Sequence, residues 1–232
     1  MNNLKILGIE TSTHACSAAL CSGERVWARF EIAPARHTQL ILPMVEELLQ
    51  EAGFELKTLS AIAFAAGPGS FTGLRIACGV AQGLAFGAGL SLIPISTLQT
   101  MAQGAARIFG AKRVIPALDA RLGGCYWGSY VLDEQGLMQP QCADQLTEPV
   151  QLLEHLAQNE QDGSLLIGQG WSVPEQNRLP EFPKQVDFYP NAVDLLPLAR
   201  QANLDGLAIA PELAMPYYLR DNVVLQSGST TV

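Results

Sequence analysis

The chain of 232 residues carries only three histidines, His14, His37 and His155. No two of them stand at H-x-x-x-H or H-E-x-x-H spacing, so a zinc or iron site on paired imidazoles is excluded. The five cysteines, Cys16, Cys21, Cys78, Cys125 and Cys142, are odd in number and form no C-x-x-C pair. Neither a disulfide framework nor a thiolate metal site is expected from them. Charge is sparse at 16% and mostly acidic, with 14 Lys and Arg against 22 Asp and Glu, for a net charge of −8. Such a surface repels a phosphate backbone, which argues against nucleic-acid binding by this chain alone. No apolar run reaches the roughly 18 to 20 residues of a membrane span. Met1 to Lys5 lead into a strand rather than a signal-peptide core, so the expected location is the cytoplasm, with no membrane partner. G-x-S-x-G is absent, and no nucleophile has an identifiable base. No catalytic residue, metal or cofactor is assigned.

What remains is a core-building composition, 48% hydrophobic. Leu4–Glu10, Ala15–Leu20 and Arg25–Phe30 read as an antiparallel three-strand meander. Between Thr38 and Ala52 the apolar residues recur at three and four, which predicts an amphipathic helix stopped by Gly53, with Pro43 near its first turn. A strand over Ala61–Ala65, a glycine-rich loop and a helix over Phe71–Phe86 follow. Ser91–Ile95 and a capping-box pattern at Ser96 then open a helix to about Ala106. The second half starts again with strands, Val114–Leu118 and an arm over Cys125–Leu132. After these come a helix over Pro149–Ala157, a strand over Leu165–Ile167, a Pro-rich irregular stretch near 174–190 and a helix over Val193–Asn203. The order predicts an α/β fold duplicated into two lobes, 1–105 and 106–232, with the C-terminal tail returning to the first lobe and a cleft between the copies.

Three places carry possible chemistry. Glu10-Thr11-Ser12-Thr13 ends the first strand in a polar turn that suits either a strand connection or a phosphate beside a carboxylate. Asp119 ends the matching strand of the second half, and Gly168-Gln169-Gly170 ends a later one. In this order the residues resemble the actin, sugar-kinase and Hsp70 layout. The loop Gly67-Pro68-Gly69-Ser70 is followed by no lysine and is not a P-loop. It reads instead as a strand-to-helix turn with Ser70 or Thr72 as the cap. The helix that it opens places Gly79, Gly83 and Gly87 on one row and Ala77, Ala81 and Ala85 on another. One row fits packing on the sheet; the other suits a partner helix.

The segments Ile9–Thr13, Arg36-His37-Thr38-Gln39, Gly67-Pro68-Gly69-Ser70-Phe71-Thr72-Gly73-Leu74-Arg75, Ser96-Thr97-Leu98, Asp119-Ala120-Arg121 and Tyr217-Tyr218-Leu219-Arg220 closely resemble the TsaB (YeaZ) family. The likeness spans nearly the whole chain. It implies an actin-like two-lobed fold and a non-catalytic subunit of the machinery making threonylcarbamoyladenosine in tRNA. The implied partners are a TsaD-like catalytic paralogue and a TsaE-like ATPase, with tRNA met only through the complex and a homodimer through the same helical seam. The seam would use the two first-lobe helices, through Arg36, His37, Leu40, Ile41, Met44, Arg75, Cys78, Gly79, Gln82, Gly83 and Phe86. Glu10, Thr11, Ser12, Thr13, Asp119, Gly168 and Gly170 would line a vestigial nucleotide site. TsaD-like proteins carry a metal-binding His-x-x-x-His where this chain has Thr97 and Met101, and Gly124 replaces a glutamate of the family pattern. The competing reading is an actin-fold ATPase or small-molecule kinase working through Glu10 and Asp119.

Overall fold

The computed structural model describes residues 4–158, 163–172 and 183–219. Strands β1 (Lys5–Glu10), β2 (Ala15–Ser22) and β3 (Arg25–Ile32) form the antiparallel meander, in unbroken register from Lys5 opposite Ser22 to Ala15 opposite Ile32. Helix α1 (His37–Ala52) ends where Gly53 turns left-handed, at φ 70°. Because the helix already starts at His37, Pro43 lies inside it and not in its first turn. The hydrogen bond lost at Gln39 is tolerated because both residues are exposed and water reaches the carbonyl.

Strand β4 (Ala61–Gly67), helix α2 (Phe71–Ala88), strand β5 (Ser91–Ser96) and helix α3 (Thr97–Phe109) follow. Ser70 caps α2 by accepting from the Gly73 amide, and Ser96 caps α3 by accepting from the Gln99 amide. The expected capping box is only half made, since the Gln99 side chain donates to Met138 O instead of returning to the cap. The first sheet runs β3-β2-β1-β4-β5, with β1, β4 and β5 parallel.

The second half comprises β6 (Arg113–Asp119), β7 (Cys125–Trp127), β8 (Tyr130–Leu132), β9 (Met138–Pro140), β10 (Gln145–Thr147), α4 (Pro149–Gln158), β11 (Leu165–Ile167), β12 (Lys184–Gln185) and α5 (Ala192–Leu204). The arm predicted over Cys125–Leu132 is interrupted at Gly128 and Ser129, so β7 and β8 both pair with β6. Much of the Pro-rich stretch lies outside the described residues, and β12 occupies part of the remainder. Strand β6 is antiparallel to β7 and β8 and parallel to β11, which in turn is parallel to β12. This repeats the plan of the first sheet, with the split pairs β7/β8 and β9/β10 standing where β2 and β3 stand.

Helices α1 and α2 cover one face of the first sheet, burying Leu7, Leu20, Ile62 and Phe64 against Ile41, Leu48 and Ala81. Helix α5, from the far end of the chain, covers the other face through Ala192, Leu195 and Ala199 on Ile6, Ala19, Ala63 and Ile93. Helix α3 packs on the second sheet and is tied to α5 by Arg107, whose guanidinium donates to both oxygens of Asp194 at 2.7 and 3.0 Å. Asp194 is buried, whereas about half of the Arg107 side chain reaches solvent. Arg107→Ala leaves a buried carboxylate unpaired and is expected to destabilise the fold by about 2–3 kcal/mol, below the range for a fully buried pair because of that exposure. Urea unfolding measures the loss, and a change under about 0.5 kcal/mol would show the pair to be dispensable.

Candidate functional site

A cleft of about 590 Å3 opens between the two sheets, with Ser12, Thr13, Ser70 and Phe71 on one wall and Asp119, Gln169 and Asp187 on the other. Ser12, Thr13 and Asp119 are thus brought together as the sequence suggested. Glu10 and Thr11 are not on the wall but fully buried behind it. Several of the turn's polar groups are spent within the chain. The Ser12 amide donates to Glu10 Oε1 at 2.6 Å, and the Ala15 amide to Thr13 Oγ1 at 3.3 Å. Thr11 Oγ1 donates to Gly73 O at 2.8 Å, and the Ser70 amide to Ser12 O at 2.7 Å.

The signature loop therefore presses backbone against backbone. A Cβ on Gly69 would stand 2.6 Å from Ser12 O, and one on Gly73 would collide with Thr11 O. Gly168 and Gly170 serve packing rather than a phosphate. Added Cβ atoms there would run into the β6 backbone at Ala117, and only Gln169 between them lines the cleft. Thr97 and Met101 are buried, with Met101 in the core of the second sheet, so the two positions do not fit a metal. Among the described residues no group of three His, Cys, Asp or Glu side chains could hold one.

Burial raises the Glu10 carboxyl from 4.5 to about 7, against the opposing pull of the Ser12 hydrogen bond. Its Oε2 and the neighbouring Ser12 Oγ are buried without partners among the described residues, which further disfavours the charged form.

The other surface of interest is the outward face of α1 and α2. Ala77, Ala81 and Ala85 are buried against the sheet, whereas among the described residues nothing lies within 4 Å of a Cβ placed on Gly79, Gly83 or Gly87. Beside the glycine row an apolar groove of about 450 Å3 runs between the helices, lined by Leu42, Leu49, Gln50, Phe54 and Leu84. Phe86 is 79% exposed nearby and Leu42 49%.

Several residues expected on this seam are elsewhere. Ile41, Met44 and Cys78 point into the core, and His37 is buried, its Nε2 donating to Ala15 O at 3.2 Å to anchor the start of α1. Arg36 instead pairs with Glu31. The segment 208–219 returns along α2, contacts Cys78 and engages two more, Gln82 and Arg75. Gln82 donates to Pro211 O and Ala214 O, Cys78 contacts Ala214 O, and Arg75 donates to Tyr218 OH while lying over the Phe71 ring. Leu40 packs partly buried on the core, on the other flank of α1, whereas the open surface keeps Gly79, Gly83 and Phe86 and gains Leu42, Leu49 and Leu84. Their only signal in the sequence is that α1 and α2 carry more leucines than one buried arc needs.

A family model described as TsaD, tRNA N6-adenosine threonylcarbamoyltransferase, matches residues 30–228. Together with the repeated sheet plan and the cleft, it defines an actin-like α/β protein of the TsaD type. A tRNA N6-adenosine threonylcarbamoyltransferase of Symbiobacterium thermophilum is 36% identical over 111 residues, 40% of this chain and 33% of that protein. The tRNA threonylcarbamoyladenosine biosynthesis protein TsaB of Escherichia coli is 42% identical over 228 residues, 95% of this chain and 96% of that one. The solved structure of YeaZ from Pseudomonas aeruginosa is 40% identical, with a TM-score of 0.84, over 93% of this chain and all of that one. The chain belongs to the TsaB (YeaZ) family.

A carboxyl whose folded value lies above its unfolded one stabilises most at low pH, and the contribution is lost as pH rises from about 4.5 through about 7. Glu10→Gln removes the titration. The variant is expected to match the parent below pH 4.5 and to exceed it by about 3 kcal/mol above pH 7. Thermal melts across pH 4 to 8 check this, and parallel curves would place Glu10 in contact with water.

Proposed function

We propose that this chain is a non-catalytic subunit of the machinery that makes threonylcarbamoyladenosine in tRNA. It acts in the cytoplasm by pairing with and activating a TsaD-like catalytic paralogue, with a TsaE-like ATPase joining the assembly. In the absence of the paralogue the same groove takes a second copy of this chain. The names of its relatives supply the pathway. The pairing rests on one observation, the division of α2 into a buried alanine row and an outward glycine row beside an apolar groove. Small residues let a second helix approach closely enough to gain dispersion contacts along its length.

The cleft supports a non-catalytic role by its spent turn. A phosphate cradle needs free amides, and the Ser12 amide is given to Glu10. The Glu10 carboxyl is fully buried behind the cleft wall and does not line the cavity in which an ATPase would hold metal and water. With a net charge of −8, tRNA affinity falls to the other subunits.

The decisive test is reconstitution of the modification with and without this chain. The modified nucleoside should form only with it, and equal turnover without it would sink the proposal. Gly83→Leu separates pairing from folding. Its side chain enters open space, so the isolated chain should gain about 0.5–1 kcal/mol from helix propensity. Affinity for the TsaD-like protein should fall at least tenfold, about 1.4 kcal/mol, by calorimetric titration.

A further inference from the structure

Among the described residues strand β3 is an unpaired edge of the first sheet. It pairs with β2 over all eight residues, without a bulge, and contains neither proline nor lysine. Its two faces differ. Towards α1 it turns Trp27, which meets Phe54 edge-to-face, and Arg29, which donates to Glu47 and Glu51 at 2.9 and 2.8 Å. The opposite face is an apolar stripe of Val26, Ala28, Phe30 and Ile32, with Val26 49%, Phe30 44% and Ile32 52% exposed. A long, regular, apolar edge is a template for another strand unless something blunts or covers it.

We infer that this edge pairs with β3 of a second copy, antiparallel and about a two-fold axis, to make one continuous ten-stranded sheet. Backbone groups that face outward belong to alternate residues, so an isologous antiparallel pair centres its axis on a residue. Centring on Ala28 sets Val26 against Phe30 on the apolar face, and Trp27 against Arg29 and Arg25 against Glu31 on the other, each pair occurring twice. The smallest side chain of the strand lies on the axis. Neighbouring registers are worse. Centring on Arg29 opposes two arginines, centring on Trp27 sets Arg25 against Arg29, and centring on Phe30 shortens the overlap to residues 28–32. Hydrophobic pairing, charge and length thus select one arrangement. This surface does not include the groove between α1 and α2, so it is independent of the reading above and leaves that groove open.

Analytical ultracentrifugation of the full chain tests the edge, with Gly83→Leu as background so that the helical groove is blocked. The expected result is a concentration-dependent species of about twice 24.9 kDa. Phe30→Asp should abolish it, as should Arg25→Glu and Glu31→Arg singly, with unchanged thermal melts showing that each monomer is folded. The double reversal Arg25→Glu/Glu31→Arg should restore it, because each new acid then meets a new base across the axis. A monomer at every concentration would overturn the inference, as would a dimer that survives Phe30→Asp or a double reversal that stays monomeric. If β3 amides gain protection from hydrogen exchange only when the TsaD-like protein is added, the edge belongs to that partner and the inference also fails.

Discussion

The contact on which most of this molecule depends is the meeting of two backbones, the β1–β2 turn and the loop that opens α2. The Ser70 amide reaches Ser12 O, Thr11 Oγ1 reaches Gly73 O, and the absence of side chains at Gly69 and Gly73 makes the approach possible. Tyr217 extends the same joint by donating its amide to Ala66 O at 2.6 Å. One loop thereby anchors the first strand pair, the start of α2 and the returning C-terminal segment. The specificity of Gly67-Pro68-Gly69-Ser70-Phe71-Thr72-Gly73 is explained by this crowding, with no ligand in the account.

Two consequences run outward from the joint. Towards the cleft, the turn that would cradle a phosphate in an actin-like protein is held by the α2 loop and by Glu10. The cavity remains, with the Ser12 amide committed to Glu10. Away from the cleft, α2 is held at its start and along one flank by segment 208–219, which leaves the flank facing α1 as its open side. The same contacts therefore occupy part of the turn on one side and orient α2 on the other.

Much of the first lobe was legible because its elements are long and their periods unambiguous. Residues 4–109 give five strands and three helices, with the stop at Gly53 and the serine caps at Ser70 and Ser96 read from local chemistry. The second sheet was harder. Strands β7, β8, β9 and β10 are only three residues long, too short for a period to declare itself, and their pairing is decided by what lies beside them. At the site, the two helices and the glycine row were readable, but individual residues were less so. Ile41 and Met44 lie on the buried arc of an amphipathic pattern that the sequence already displayed, and reading them as contacts overrode that pattern with a motif. Cys78, Gln82 and Arg75 were unreadable for a different reason. Their partners lie more than 120 residues away, in a segment without periodicity.

Among the described residues the glycine row of α2 has no packing partner within the chain. Each helical glycine costs roughly 1 kcal/mol relative to alanine, so Gly79, Gly83 and Gly87 together forgo about 3 kcal/mol. That is a large part of the 5–15 kcal/mol typical of a folded domain. Gly69 and Gly73 recover their cost in close backbone contacts, whereas a Cβ on any of the outward three would touch nothing among the described residues. Random drift at such open positions favours alanine or longer helix formers, which would stabilise the isolated chain. Three glycines at spacing four, with Leu42, Leu84 and Phe86 on the same two helices, therefore leave a surface that a second helix can approach closely, as the proposed pairing requires.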